Sequence, residues 1–431
     1  MRLYALLIGL FVSQFWGIAR AEGENLARDL FPKSKLVWEK EFDGRVMDVQ
    51  VGGENIVVFK AYRYFDQEIR KYVRLREDWD YCVSCLDMNG NVLWEKWFKE
   101  EVNKKKRTLK GRVANISVSR DGKYVVINQS WGFFPAFLAQ CYNAKDELVW
   151  EVKCEEPGLT ISPYGSYAIS TRQEGEQMMG HFIIVDNRGK KLWEDTERES
   201  FEEKPGKFRG QINWTARWLD DSTVAYVKGS PVGSYSCRHP YCKVILFDVK
   251  RLQPRWEVDI GKELGDPEHF GMSWYTPPIK TSRDGEFIAI AVDWFENGHR
   301  KEKRTLVVLN NNGNLLWHTN RFVTMEDPEI KDRRLGGLGS FSFTKDSKYL
   351  IAISVRTAAT PRTIDIFDAL IGEKKWRKTP KGGWFWTESL GLREIPPNTA
   401  RIVPRYHENK VKSAILLDKD RRRIHLIQLR D

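Results

Sequence analysis

Beyond residue 21 the sequence has no apolar run that approaches the roughly 20 residues a membrane-spanning helix needs, which excludes such a helix from the body of the chain. Histidine is scarce, with seven in all, and none has a partner at the His-x-x-x-His spacing that would make a metal site specific. Cysteine is scarce too: the six, Cys82, Cys85, Cys141, Cys154, Cys237 and Cys242, include no adjacent pair. A long charged tail is also missing, because the 30% of charged residues are spread along the chain. What is plentiful is aromatic: 13% of the residues, including 17 Trp, within 41% hydrophobic residues. That is ample material for a core, so the chain is expected to be globular throughout.

The N-terminus reads Met1-Arg2, a mostly apolar run from Leu3 to Ile18, then Ala19-Arg20-Ala21. These are the basic, apolar and small-x-small parts of a secretory signal peptide, with cleavage expected after Ala21 and a secreted or periplasmic product. Ser13, Gln14 and Gly17 interrupt the run, and the absence of Cys at the cleavage site argues against a bacterial lipid anchor. The formal charge of +11 includes Arg2 and Arg20, so residues 22–431 carry +9. Such a balance favours anionic surfaces or polymers. Export makes specific nucleic acid a poor partner and leaves an anionic glycan, a membrane surface or an acidic protein.

An even number of cysteines in an oxidising compartment permits disulfides. Cys237 and Cys242 flank the tight loop "RHPY" and are the candidate pair. In "CVSC" the two thiols, Cys82 and Cys85, belong to a strand, where residues three apart point to opposite faces, so a direct bond is disfavoured. No His follows it, as a haem attachment site would require. Cys85 and Cys141 occupy the same position in a repeat and are expected to be buried strand residues. No pairing is assigned to Cys82, Cys85, Cys141 or Cys154.

That repeat dominates the chain. "LDMNGNVLWEK", "YNAKDELVWEV", "VDNRGKKLWED" and "LNNNGNLLWHT" share one spelling, and its Trp recurs at Trp38, Trp94, Trp150, Trp193, Trp256, Trp317 and Trp376, with His425 in the equivalent place in "LLDKDRRRIHLI". A second phrase alternates with it: "SVSRDGKYVVI", "TISPYGSYAIS", "KTSRDGEFIAI" and "SFTKDSKYLIA". Asp-Gly or Asn-Gly between alternating apolar runs supplies the positive φ of a tight hairpin turn. Two hairpins per unit give four strands. One such sheet cannot bury both faces, so neighbours must stack, with the large Trp wedged between them. The expected fold is all-β, a seven-bladed β-propeller of four-stranded blades spanning residues 22–431 as one domain, with eight blades as the alternative count. "KLVWEKEF" (Lys35 to Phe42) has no inner strands before it and is expected to add to or replace the edge of the last blade, closing the ring.

"FDALIGEKKW" (Phe367 to Trp376), with Asp, Gly and Trp at four-residue steps, resembles the tryptophan-docking repeat of PQQ-like propellers, which include quinoprotein dehydrogenases and outer-membrane assembly factor propellers. The shorter phrases, such as "LDMNGNVLW", are similar to WD40-like repeats. The resemblance implies a propeller and little about activity. Quinoprotein members place a vicinal Cys pair over the cofactor, and this chain has no Cys-Cys. The S-x-D-x-G-x-x-W box of sialidases is also missing. No cofactor is therefore expected, and PQQ belongs only to an alternative reading as a quinoprotein-like oxidoreductase or a polysaccharide-active enzyme.

The repeated turns are short, and the extra length falls between second and third strands or between blades, in Lys60 to Asp80, Lys96 to Asn115, Asp195 to Ala216, Asp259 to Pro278, Asp293 to Arg304 and Asn320 to Ser340. Loops on a rigid scaffold are where function resides. Aromatics gather in "SWGFFPAF", "HFGMSWYTPP" and "GGWFWTESL", and basic residues in "NKKKRTLKGR" and "HRKEKR". Candidate binding residues are Lys104, Lys105, Lys106, Arg107, His269, Trp274, Tyr275, Trp384 and Trp386, since aromatic faces beside cations hold acidic or planar ligands. Glu268-His269 is the candidate for chemistry. No metal site is expected, and no catalytic set is assigned. The expected function is a secreted or periplasmic scaffold that binds a protein or an anionic polymer.

Overall fold

A computed structural model describes residues 34–66, 71–103, 108–133, 136–155, 158–173, 179–198, 215–229, 241–272, 279–296, 299–319, 338–344, 346–354, 364–378, 384–387, 391–394, 399–407, 410–418 and 420–429. Residues 1–21, expected to be a signal peptide, lie outside them, as do Cys237, Lys104 to Arg107, Trp274 and Tyr275. The stretch expected to be one domain, residues 22–431, divides into two compact units, one up to Lys99 together with the residues from Gly382, the other from Glu100 to Lys381.

The first unit holds two four-stranded antiparallel sheets. One runs Arg45–Gly52, Asn55–Ala61, Tyr81–Leu86, Val92–Phe98. The other runs Thr399–His407, Lys410–Asp418, Arg423–Leu429 and, as its fourth strand, Ser34–Glu41 from the far end of the chain. The second unit holds five sheets, beginning at Thr108–Val118, Thr160–Ile161, Thr215–Trp218, Ile279–Thr281 and Leu338–Phe343. Glu101–Asn103 and Phe270–Met272 add edge strands to two of them. Among the described residues there are thus seven sheets of four or five strands, beside two small hairpins.

Local chemistry explains why one spelling recurs. In the outer hairpins the Asp or Asn that opens the turn accepts, through one side-chain oxygen, the amides two and four residues on: Asp87 from Asn89 and Asn91, Asn143 from Lys145 and Glu147, Asp186 from Arg188 and Lys190, Asn310 from Asn312 and Asn314. The residue that follows sits at positive φ, a glycine in three of these four turns, as at Gly313 (φ 83°), and Asp146 (φ 72°) in the other, where a β-carbon is strained. In the inner hairpins the first Ser or Thr bonds the Asp two residues on and accepts an amide five residues on, as Ser282 does with Asp284 and Phe287. Ser162 instead reaches the next sheet and donates to Asp221.

Each outer strand slips register by one residue just before its Trp, at Cys85/Leu86, Cys141/Tyr142, Ile184/Val185, Leu246/Phe247, Val308/Leu309 and Ile366/Phe367 on the neighbouring strand. Such a bulge increases local twist and re-aims the side chain. The indoles then meet the next sheet: Trp38, Trp256 and Trp317 donate to the carbonyls of Met88, Asn311 and Ala369 in the neighbouring turn. Trp94, Trp150 and Trp317 are nearly buried, while Trp193 and Trp256 are partly buried against the layers between sheets. Trp376 lies on its expected strand, Lys374–Lys378. Those layers form the core, for example Val227, Leu246, Ile279, Ile290 and Leu309 between two neighbours.

Three readings are corrected. His425 is not the counterpart of the outer-strand Trp: Arg423–Leu429 is the third strand of its sheet, and Ser34–Glu41 with Trp38 is the fourth. "GGWFWTESL" is not a plain loop, because Trp384–Thr387 pairs with Gly391–Glu394, carrying Trp384 and Trp386 on a strand. "HRKEKR" is likewise a strand, since Phe287–Glu296 and His299–Asn310 continue their pairing as far as Glu296 with His299. Part of the extra length is therefore built as prolonged hairpins, which satisfy their own backbone polar groups.

Candidate binding site

The insertion between Asn55–Ala61 and Tyr81–Leu86 forms the hairpin Arg63–Asp66 with Lys71–Arg74, and the ends of the parent strands meet there in a polar and aromatic cluster. Tyr62 stacks on Trp97 with ring centroids 5.3 Å apart. The Arg76 guanidinium lies over both rings, at 5.1 Å from Tyr62 and 5.0 Å from Trp97, and pairs with Asp43. The Tyr62 hydroxyl donates to the same carboxylate at 2.6 Å. Gly44 permits this approach, because a β-carbon there would stand 2.9 Å from the Tyr62 ring. Trp79, 40% exposed, sits 6.3 Å from Trp97 and extends the aromatic surface into solvent.

Beneath this surface lies Lys60, which is buried and donates to Glu95 at 2.9 Å. Its ammonium also stands over the rings of Phe42 and Trp97, at 5.3 and 5.4 Å. Ser84 donates to the same Glu95 oxygen at 2.6 Å. Burial pushes the Asp43 and Glu95 carboxyls up, but hydrogen bonds from Tyr62 and Ser84 and the charges of Arg76 and Lys60 outweigh it, so both stay below the ordinary carboxylate range. Burial and the Asp43 carboxylate together push the Tyr62 hydroxyl far up. Asp43 and Glu95 thus stay ionised and Tyr62 stays protonated near neutrality, within a hydrogen-bonded platform of rings and charges.

Among the described residues four cysteines, Cys82, Cys85, Cys141 and Cys242, are buried free thiols. Cys82 and Cys85 lie on one buried strand, and Cys85 and Cys141 face Trp94 and Trp150 at matching positions, as expected. Burial pushes the Cys82 thiol up to about 11, against the pull of Lys60, and those of Cys85 and Cys141 up to about 12. Cys242 is a buried free thiol; its expected partner Cys237 lies outside the described residues.

In the second unit, His269 Nδ1 stands 2.5 Å from Asp266 Oδ1, and its ring stacks on Trp294 at 4.9 Å with 7° between planes. Phe270 meets the same Trp294 edge-on at 5.0 Å. The carboxylate and the stack together fix the orientation of the imidazole. Of the residues expected beside it, Trp274 and Tyr275 lie outside the described residues. Trp384 and Trp386 belong to the first unit. Among the described residues no group of three or more His, Cys, Asp or Glu is placed to hold a metal ion.

Sequence reasoning named the Lys60 to Asp80 insertion but missed Tyr62, Arg76, Trp79 and Trp97. The signal was the aromatic density of "AYRYF" and "REDWDYC" around one insertion, with Trp97 three residues beyond a structural Trp.

No protein-family model matches the chain, and no curated protein matches it in sequence. Solved structures do. A structure described as the Dos1 propeller is 9% identical with a TM-score of 0.52, over 93% of this chain and 97% of that one. The β-propeller domain of the Trilobed protease from Pyrococcus furiosus is 10% identical with a TM-score of 0.47, over 91% and 97%. An oligogalacturonate lyase in complex with manganese is 10% identical with a TM-score of 0.46, over 92% and 93%. With the repeated four-stranded sheets and the similarity to the first of these, the chain has the fold of a β-propeller.

Proposed function

We propose that this protein is an exported, non-enzymatic β-propeller that binds a protein or an anionic polymer through the insertion-bearing ends of its sheets, without a bound cofactor. The observation that carries this reading is the exposed Trp79 beside the locked Tyr62, Arg76 and Trp97 platform. Trp, Tyr and Arg around a desolvated centre are the residues that dominate binding energy at protein interfaces. An acidic protein segment is therefore the favoured partner, and the net positive charge of the chain would help steer it. Export rests on the basic, apolar and small-x-small order of residues 1–21.

The test is a photo-crosslinking residue placed at Trp79 and, as a control, at Lys123 in a short repeated turn, in the native host. A discrete crosslinked partner from position 79 alone is the expected result. The same products from both positions, or none from either, overturn the reading. N-terminal sequencing of the native protein should begin at Glu22, and a start at Met1 overturns export.

One observation favours an enzyme as the second reading: the Asp266–His269 pair stacked on Trp294. Incubation with the quinone cofactor and calcium, followed by assay on alcohols and sugars, separates the two. Turnover that disappears in His269→Gln would replace the binding reading.

A further inference from the structure

In the second unit, each sheet's first strand leads into a turn that opens at Ser119, Ser162, Leu219, Ser282 or Thr344. Three residues before these positions stand Ile116, Leu159, Ala216, Ile279 and Phe341, all buried. Two residues before them stand Ser117, Thr160, Arg217, Lys280 and Ser342. Consecutive strand residues point to opposite sides, so this second set lies on the side away from the buried one. Three of the five are small hydroxyls. The remaining two are cations, and they fall on neighbouring first strands.

Those two strands touch: Thr281 Oγ1 donates to the Trp218 carbonyl at 3.5 Å. On the other flank, Trp218 Nε1 donates to the Thr160 carbonyl at 3.2 Å. Arg217 and Lys280 each stand opposite a small residue of the second strand, Ala225 and Ala289. Both cations are partly buried. Among the described residues neither meets a carboxylate, and the Arg217 guanidinium donates to the carbonyl of Ala216 at 2.9 Å. Burial lowers the affinity of both for a proton, and the charge of Arg217 lowers that of Lys280 further. Two partly buried cations side by side, with no counter-charge among the described residues, cost stability. A bound anion removes that cost.

We propose that Arg217 and Lys280, flanked by the Thr160 and Ser342 hydroxyls on the adjoining first strands, form a binding site for a small oxyanion, a phosphate or a carboxylate group. The guanidinium supplies two parallel donors, the ammonium a point charge, and the hydroxyls adaptable donors, which is the set that recognises such groups. The proposal does not depend on the reading of the Trp79 surface.

The test is calorimetric titration at low ionic strength with inorganic phosphate and, separately, with citrate, using chloride as the reference. Saturable binding of one or both is expected, and the arm that responds distinguishes a phosphate from a carboxylate ligand. Arg217→Gln and Lys280→Met should each weaken binding by about tenfold or more, the size of a lost charged hydrogen bond, and the double variant should abolish it. Lys280→Met relieves a repulsion, so its melting temperature without added anion should equal or exceed that of wild type, which separates a lost site from a lost fold. Failure of wild type to bind either anion, or undiminished binding by the double variant, overturns the proposal.

Discussion

The indole of Trp317 donates to the carbonyl of Ala369 at 2.8 Å, across the gap between one sheet and the next. The same ring packs so closely on the following turn that a β-carbon at Gly372 would stand 2.5 Å from it, at a backbone φ of 70°. A hydrogen bond, a ring face and a glycine turn thus join neighbouring sheets. The pair recurs as Trp256 with Gly313 and Trp38 with Gly90.

This joint makes the first prediction. Trp317→Ala should cost about 3 to 5 kcal/mol through the cavity it leaves, and Gly372→Val about 2 to 4 kcal/mol through clash and strain. Urea unfolding measures both. If the double variant loses no more than the worse single one, the two residues act as one joint.

His425 makes the second. It is almost fully buried between Asp418, 2.7 Å away, and Glu39 of the strand that completes the sheet, 3.1 Å away. Burial works against its charge, but the two carboxylates prevail and hold its pKa up at about 9. A folded pKa above the unfolded value of about 6.5 stabilises fully below that value, and the gain is lost as pH rises through about 9. Melting temperature should therefore fall between pH 6.5 and 9.5 in wild type, and His425→Gln should flatten that slope.

The closing strand gives a third. Deleting residues 22–42 removes Trp38 and the partner of Arg423–Leu429 and exposes a sheet edge. Lower stability or aggregation in light scattering is expected, and a monomer as stable as residues 22–431 would show that the strand closes nothing.

Thiol chemistry gives a fourth. Cys82, Cys85, Cys141 and Cys242 are buried, and burial holds their thiols protonated. Alkylation of the folded protein at pH 8, read by peptide mass spectrometry, should spare these four until denaturant is added.

A fifth concerns the candidate surface. Trp79→Ala should change stability by less than about 1 kcal/mol, because the side chain is already 40% exposed, yet sharply reduce partner capture. Trp97→Ala should harm both, since Trp97 stacks on Tyr62 and lies beneath Arg76 and Lys60.

The sequence by itself determined the repeated hairpins, the Trp of each outer strand and the completion of the last sheet by the N-terminal strand. The hairpins and the Trp positions depend on contacts within a few residues, and the closing strand shows itself by having no inner strands before it. The Asp87 side chain, for instance, folds its own turn by capturing the amides of Asn89 and Asn91, so residue identity and spacing suffice. Only the tertiary structure decided which strand carries His425, that "HRKEKR" extends a hairpin, and that Asp43, Tyr62, Arg76 and Trp97 converge. Arg217 and Lys280 are 63 residues apart and become neighbours only when two sheets stack with their first strands side by side. Those contacts rest on the alignment of whole sheets, which hydrophobic layers such as Leu246 against Ile279 set collectively. No single stretch of the chain carries that alignment.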